Sequence, residues 1–176
     1  MKRSAGILLP IFSLPSEYGI GSLGAEARAF ANFLQDAGQS WWQILPVGPA
    51  GAGDSPYASE STFAGNPLFI DLDLLARDGL LTEEELASAR VPAGDKIDYA
   101  ALKKSREPLL RKAFSRVSGE AAEAARAFAE ERPWVREYAL YRAAKRHFGG
   151  LPWFQWPDEG LRRHEPEAVE RWRVEL

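Results

Sequence analysis

The residues best suited to chemistry lie in Gly53-Asp54-Ser55-Pro56-Tyr57. Asp54, Ser55 and Tyr57 put an acceptor, a hydroxyl and an aromatic hydroxyl on one short arc. Such an arc suits a polyhydroxylated ligand, whose hydroxyls exchange hydrogen bonds while its C–H faces stack on an aromatic ring. The same residues also read as an ordinary proline turn, with Asp and Ser bonding to nearby backbone. Gly-Asp-Ser could open a serine esterase, but that chemistry needs a His base oriented by an acid. Neither His147 nor His164 has an Asp three residues before it.

Other constellations fall away on similar grounds. Gly19-Ile20-Gly21-Ser22-Leu23-Gly24 matches the glycine spacing of a dinucleotide-binding turn. That turn must follow its strand directly, so that amides at the helix start face the pyrophosphate. Here Pro15-Ser16-Glu17-Tyr18 intervenes, and the next strand ends Leu45-Pro46-Val47 without the acid a ribose requires. Glycines shaping a loop and a helix start are the simpler reading. Glycoside chemistry needs two carboxylates flanking one bond, and the acids near the arc are Asp54 and Glu60. No spacing suggests a metal site.

Positioning the arc requires a frame. Ala5–Phe12 (AGILLPIF) reads as a buried strand. A helix follows, with Ser22 as N-cap, Glu26 in its first turn, Ala27, Phe30, Leu34 and Ala37 at helical spacing, and Gly38 at its end. Ser40–Val47 (SWWQILPV) is the second strand, so a βαβ unit with parallel strands is expected. Trp41 and Trp42 must face opposite sides of it. Residues 48–67 then form a Gly- and Pro-rich loop leaving the C-terminal end of that strand, where α/β folds build sites. Residues 68–75 read as a short extended or helical piece. Beyond Leu81 the pattern is helical: Thr82 with Glu85 makes a capping box, 99–117 and 119–131 are rich in Ala, Lys, Glu and Arg, and Trp134–Phe148 ends at Gly149-Gly150. Residues 151–160 form an aromatic turn, and the last helix starts near Pro166. No closing signal precedes Leu176, and a further stretch of chain is expected after it.

Bulk composition narrows the class. In 176 residues, 45% are hydrophobic and 27% charged, as in a globular chain with a core. The net charge of −3 argues against a nucleic-acid or anionic-membrane partner, both of which require a basic face. Without cysteine there is no disulfide or thiolate chemistry. The apolar run near the start is short and broken by Pro10 and Pro15, so it is not read as a signal peptide, and a cytoplasmic location is expected. Six Trp, five Tyr and nine Phe are many for a chain of this size; most of the Trp read as core, while aromatics also form sugar-stacking platforms.

Longer motifs then agree with one another. AGILLPIFSLPSEYGIGSLG, AGQSWWQILPVGP, GDSPYASESTFAGNPLFIDLDLL and YALYRAAKRHFGGLPWFQWPDEGLRRHEPEA, in this order across the chain, resemble the amylomaltase family of 4-α-glucanotransferases. The resemblance implies an α/β fold, the start of a (β/α)₈ TIM barrel followed by a mainly helical inserted subdomain. Residues 1–81 would be the barrel part, with substrate loop 48–67, and 82–176 the helical insertion. A barrel needs about 250 residues, so it stays incomplete within 176. The family transfers α-1,4-glucan segments between maltodextrins or amylose by a retaining double displacement, without a cofactor. Its carboxylates are expected beyond residue 176, so no catalytic residue is assigned here.

What the resemblance carries over is substrate contact: Ser55 and Tyr57 on the donor-sugar side of the cleft, and Asp54 orienting their loop. Asn66 falls in the family's Ala-Gly-Asn-Pro turn and is expected to be structural. The chain departs from many relatives at Ala52, where they carry an aromatic on a second glucan-docking surface. Tyr99 would be the remaining partner for such a contact. Two other readings stay open: an α-glucan hydrolase of the same barrel superfamily, and a non-catalytic helical binding protein.

Overall fold

The computed structural model describes residues 3–91 and 94–176. The described chain is mostly helical, with one small sheet, and falls into two compact units that divide after Gly119.

In the first unit, β1 (Gly6–Leu8) and β2 (Trp41–Gln43) pair in parallel, with Gly6 opposite Trp41 and Leu8 opposite Gln43. The parallel pair is the one expected, but both strands are shorter than their apolar runs. The ladder ends after Leu9 N–H reaches the Gln43 carbonyl at 3.0 Å, because the next β1 amide to bond β2 would be that of Ile11. Ile11–Ser13 then turns as a 3-10 helix, leaving Ile44–Val47 without a β1 partner. α1 (Ala25–Asp36) crosses between the strands. Its C-terminus carries both hydrogen bonds of a Schellman motif, Gly38 N–H to the Gln35 carbonyl (3.0 Å) and Gln39 N–H to the Leu34 carbonyl (2.8 Å).

The expected N-cap of α1 is corrected. Gly24 occupies that position without a side-chain bond, and Ser22 Oγ instead donates to Asp71 Oδ2 at 2.5 Å. A Cβ on Gly24 would sit 1.9 Å from that same Asp71 oxygen, and one on Gly21 would sit 2.1 Å from the Ile11 carbonyl. The glycines of the Gly-x-Gly-x-x-Gly run therefore permit close packing. Asp71 also caps α2 (Leu72–Arg77) by accepting from Leu74 N–H at 2.9 Å, so one carboxylate ties the 13–24 loop to that helix.

α3 (Glu83–Ala89) opens with the expected capping box between Thr82 and Glu85. Glu85 also pairs with Lys112 on α4 (Tyr99–Ser115) and, at 2.7 Å, with Arg116, the residue that caps the end of that helix. The Arg116 bonds first, then Lys112 and the Thr82 amide, hold the Glu85 carboxyl well below the usual carboxylate range. A depressed folded-state pKa gives stability that is present above the unfolded value, about 4.3, and fades as pH falls below it. Glu85→Gln is therefore expected to lower stability at pH 7. The gap from the parent should narrow below about pH 4, measured by urea unfolding across pH.

Two apolar clusters fill this unit. Ile11, Leu14, Ile20, Ala27, Leu68, Phe69 and Leu102 form one, with Phe30, Trp42 and Tyr99 packed against it. Trp41 and Trp42 do face opposite ways. Trp42 lies edge-on to Phe30 at 4.9 Å and donates to the Leu9 carbonyl (2.8 Å), whereas Trp41 is 67% exposed. The other cluster joins Tyr18, Leu72, Leu81, Leu86, Ala89 and Ala113. Between them lies Arg106, a buried cation that donates to the Tyr18 carbonyl at 3.1 Å and stands 5.8 Å over the Tyr18 ring. Burial lowers the Arg106 pKa, opposed by Tyr18 and Asp71.

The second unit, Glu120–Leu176, takes in nearly all of α5 (Gly119–Glu131), then α6 (Pro133–His147), α7 (Glu159–Arg162) and α8 (Pro166–Glu175). Pro133 and Pro166 stand in first helical turns, where the missing N–H costs no bond. Leu140, Ala144, Trp156, Leu161, Val169 and Trp172 make its core. Trp153 and Phe154 of the expected aromatic turn are largely exposed, while Trp156 is buried. Among the described residues no helix is long and apolar enough to cross a membrane.

Candidate functional site

The loop after β2 is more ordered than its composition predicts. Its neck closes through Gly51 N–H to the Ala58 carbonyl (2.8 Å) and Glu60 N–H to the Pro49 carbonyl (3.2 Å), around an isolated antiparallel bridge between Ala50 and Ser59. Its far end closes through Asn66 N–H to the Val47 carbonyl at 2.8 Å. Asn66 also caps the 3-10 turn Pro67–Phe69 by accepting from Leu68 N–H at 3.0 Å, the structural role expected of it. Side-chain turns hold the intervening stretch: Ser59 Oγ donates to the Ser61 carbonyl (2.7 Å), and Ser61 Oγ accepts from Phe63 and Ala64 amides.

At the tip, Gly53 (φ 70°) and Asp54 (φ 56°) are consecutive left-handed residues. Glycine adopts this conformation freely, and Asp is among the few others that tolerate it. The chain then turns through Ser55–Ala58. Ser55 Oγ accepts from Tyr57 N–H at 3.3 Å, and the Ser55 carbonyl accepts from Ala58 N–H at 3.2 Å. These bonds fix Ser55 and Tyr57 to each other. The Ser55 hydroxyl keeps its own proton to donate. Tyr57 is 74% exposed, an uncovered ring on a bonded turn. Phe63, on the same loop, is 70% exposed.

Asp54 does not present a free carboxylate. It forms an ion pair with Lys103 Nζ on α4, 49 residues away in sequence. Tyr99 stands one turn before Lys103, on the same face of α4, half-buried against the first cluster. Burial, and then the Asp54 charge, raises the Tyr99 phenol above its ordinary pKa. The structure thus brings Asp54, Tyr99 and Lys103 into one neighbourhood, with Ser55 and Tyr57 on the adjoining turn. The side chain of Ala52 lies outside the described ones.

Sequence reasoning missed Lys103 and Phe63. Phe63 could have been singled out as an aromatic in a loop of small polar residues. For Lys103 the available signal was its position four residues after Tyr99, which says nothing about the acid it meets. A cavity of about 400 Å³ is lined by Ser16, Glu17, Arg90 and Val91, and includes none of the loop residues. Among the described residues no group of three His, Asp or Glu side chains could hold a metal ion.

Comparison with known proteins follows the same residues. A family model described as 4-alpha-glucanotransferase matches residues 9–176. The 4-alpha-glucanotransferase of Thermus thermophilus is 46% identical over 174 residues, covering 96% of this chain and 34% of its own length. That of Streptococcus pneumoniae serotype 4 is 41% identical over 178 residues, covering 99% of this chain and 35% of its own. Among solved structures, the amylomaltase from Streptococcus agalactiae in complex with acarbose matches with a TM-score of 0.94 at 38% identity, over 99% of this chain and 36% of that one. The chain spans about a third of the length of these relatives. With matched motifs, matched backbone and near-complete coverage of its residues, the chain belongs to the 4-alpha-glucanotransferase family.

Proposed function

We propose that this chain is the amino-terminal portion of an enzyme that transfers α-1,4-glucan segments between maltodextrins or starch-type glucans. A retaining double displacement would do this. One carboxylate forms a covalent glycosyl-enzyme, and a second acts as acid and then as base toward the 4-hydroxyl of an acceptor sugar. Both carboxylates lie beyond residue 176 in this reading. The observation that carries it is the likeness to the acarbose-bound amylomaltase along nearly the whole chain.

In the same reading, β1 and β2 are the first strands of a (β/α)₈ barrel, and residues 82–176 belong to a helical insertion. Two strands alone make a marginal sheet. Leu8, Trp41, Ile44 and Val47, apolar yet exposed around them, supply a surface for further strands and helices. Loop 48–67 then forms one wall of a glucan groove that the later polypeptide completes. Tyr57 offers its ring to a pyranose C–H face, Ser55 a hydroxyl, and Asp54 sets the tip. Tyr99 is assigned to a secondary glucan contact.

Incubation with maltotriose tests the reading. The full-length polypeptide is expected to yield glucose together with longer maltodextrins, and the 176-residue chain to yield neither. Disproportionation by the short chain would move the carboxylates into it. Glucose without longer products from the full-length polypeptide would favour a hydrolase.

A further inference from the structure

We propose that Lys103 is a positioning residue for the glucan-contacting loop: through Asp54 it fixes the orientation in which Ser55 and Tyr57 meet the sugar. The inference rests on the reading of loop 48–67 as a wall of the glucan groove.

Three features of the tip support it. First, its internal bonds lock Ser55 to Tyr57 and close the neck at Gly51 and Ala58, but these bonds do not join the tip to α4. The Asp54–Lys103 pair makes that join, and it acts at the residue immediately before Ser55. Second, Gly53 and Asp54 sit at φ 70° and 56°. Asp tolerates the left-handed region better than most residues with a Cβ, and a contact on its side chain adds to what keeps Asp54 there. A carboxylate clamped by a cation on another element is such a contact. Third, the cation stands on a firm base. Its neighbour Leu102 and the next turn's Arg106 are both buried, at 3% and 4% exposure, so the α4 backbone beneath Lys103 is fixed by the core.

The side chains of Lys103 and Asp54 remain 52% and 35% exposed. An exposed pair of this kind adds little to global stability. Its work is local: it selects one tip orientation, so its loss should surface as weaker substrate binding rather than as unfolding.

The test uses the full-length polypeptide with maltotriose. Lys103→Met keeps the aliphatic stem and removes the charge. It is expected to raise KM about two- to fivefold, the range an exposed ion pair converts to, with kcat and thermal midpoint essentially unchanged. Lys103→Arg should restore the parental KM. Asp54→Asn combined with Lys103→Met should cost no more than the larger single change, because both remove the same contact. An unchanged KM in Lys103→Met, alongside a raised KM in Tyr57→Ala, overturns the positioning role and leaves the loop reading intact. An unchanged KM in Tyr57→Ala as well overturns the loop reading and the inference with it. A lowered thermal midpoint with parallel loss of kcat, unrescued by Lys103→Arg, reduces Lys103 to a structural residue and also overturns the proposal.

Discussion

Tyr57→Ala in the full-length polypeptide is expected to weaken glucan binding by about 1–3 kcal/mol, roughly five- to 150-fold in Kd. The ring is 74% exposed, and its turn is held by backbone bonds and by Ser55 Oγ. Truncation therefore leaves the fold intact, and stability should change by no more than about 0.5 kcal/mol, as for surface positions generally. What is lost is the stacking face and one hydroxyl. Tyr57→Phe separates the two, since it keeps the face and should cost about 0.5–1.5 kcal/mol. Calorimetry with maltoheptaose reads both variants. An affinity for Tyr57→Ala equal to that of the parent would remove Tyr57 from the site.

The second large effect concerns stability. Leu72→Ala is expected to cost about 2–5 kcal/mol, a substantial part of a typical domain's total. Leu72 is fully buried at 0% exposure, among Tyr18, Leu81, Leu86, Ala89 and Ala113. It also begins α2 directly behind Asp71, whose carboxylate caps that helix and accepts from Ser22. A cavity there loosens the seam between α2 and the 13–24 loop. The urea midpoint of the 176-residue chain should fall at constant slope, whereas Leu8→Ala, at a half-exposed strand position, should move it little. A loss below about 1 kcal/mol for Leu72→Ala would mean the cluster collapses around the gap.

Much of the frame was legible in order along the chain. The capping box at Thr82, Pro166 opening the last helix and Gly38 closing the first were each readable from a few adjacent residues. They proved right because such signals depend on bonds spanning three to five residues. Strand lengths were overread, because an apolar run does not reveal where the chain turns out of the sheet, as it does at Ile11–Ser13. Ser22 was misread as a cap for a related reason. α1 starts at Ala25, so the cap position falls on Gly24, and Ser22, two residues before it, donates its hydroxyl to Asp71 49 positions away.

The candidate site divides along the same line. The residue types of the arc 53–57, the loop after a parallel strand and the family's motifs were all present in the sequence. Whether Asp54 faces ligand or protein was not. That was decided when α4 brought Lys103 beside it, and likewise when Arg106 reached the Tyr18 carbonyl across 88 residues.

By itself, then, the sequence determined this protein's local elements, its family and the chemistry its loop can offer, since these follow from side-chain type and short-range bonding. Only the tertiary structure decided which charges meet, which glycines are needed for close approach and which aromatics stay uncovered. Those outcomes depend on packing between segments far apart in the chain, and linear order carries no record of distance in space.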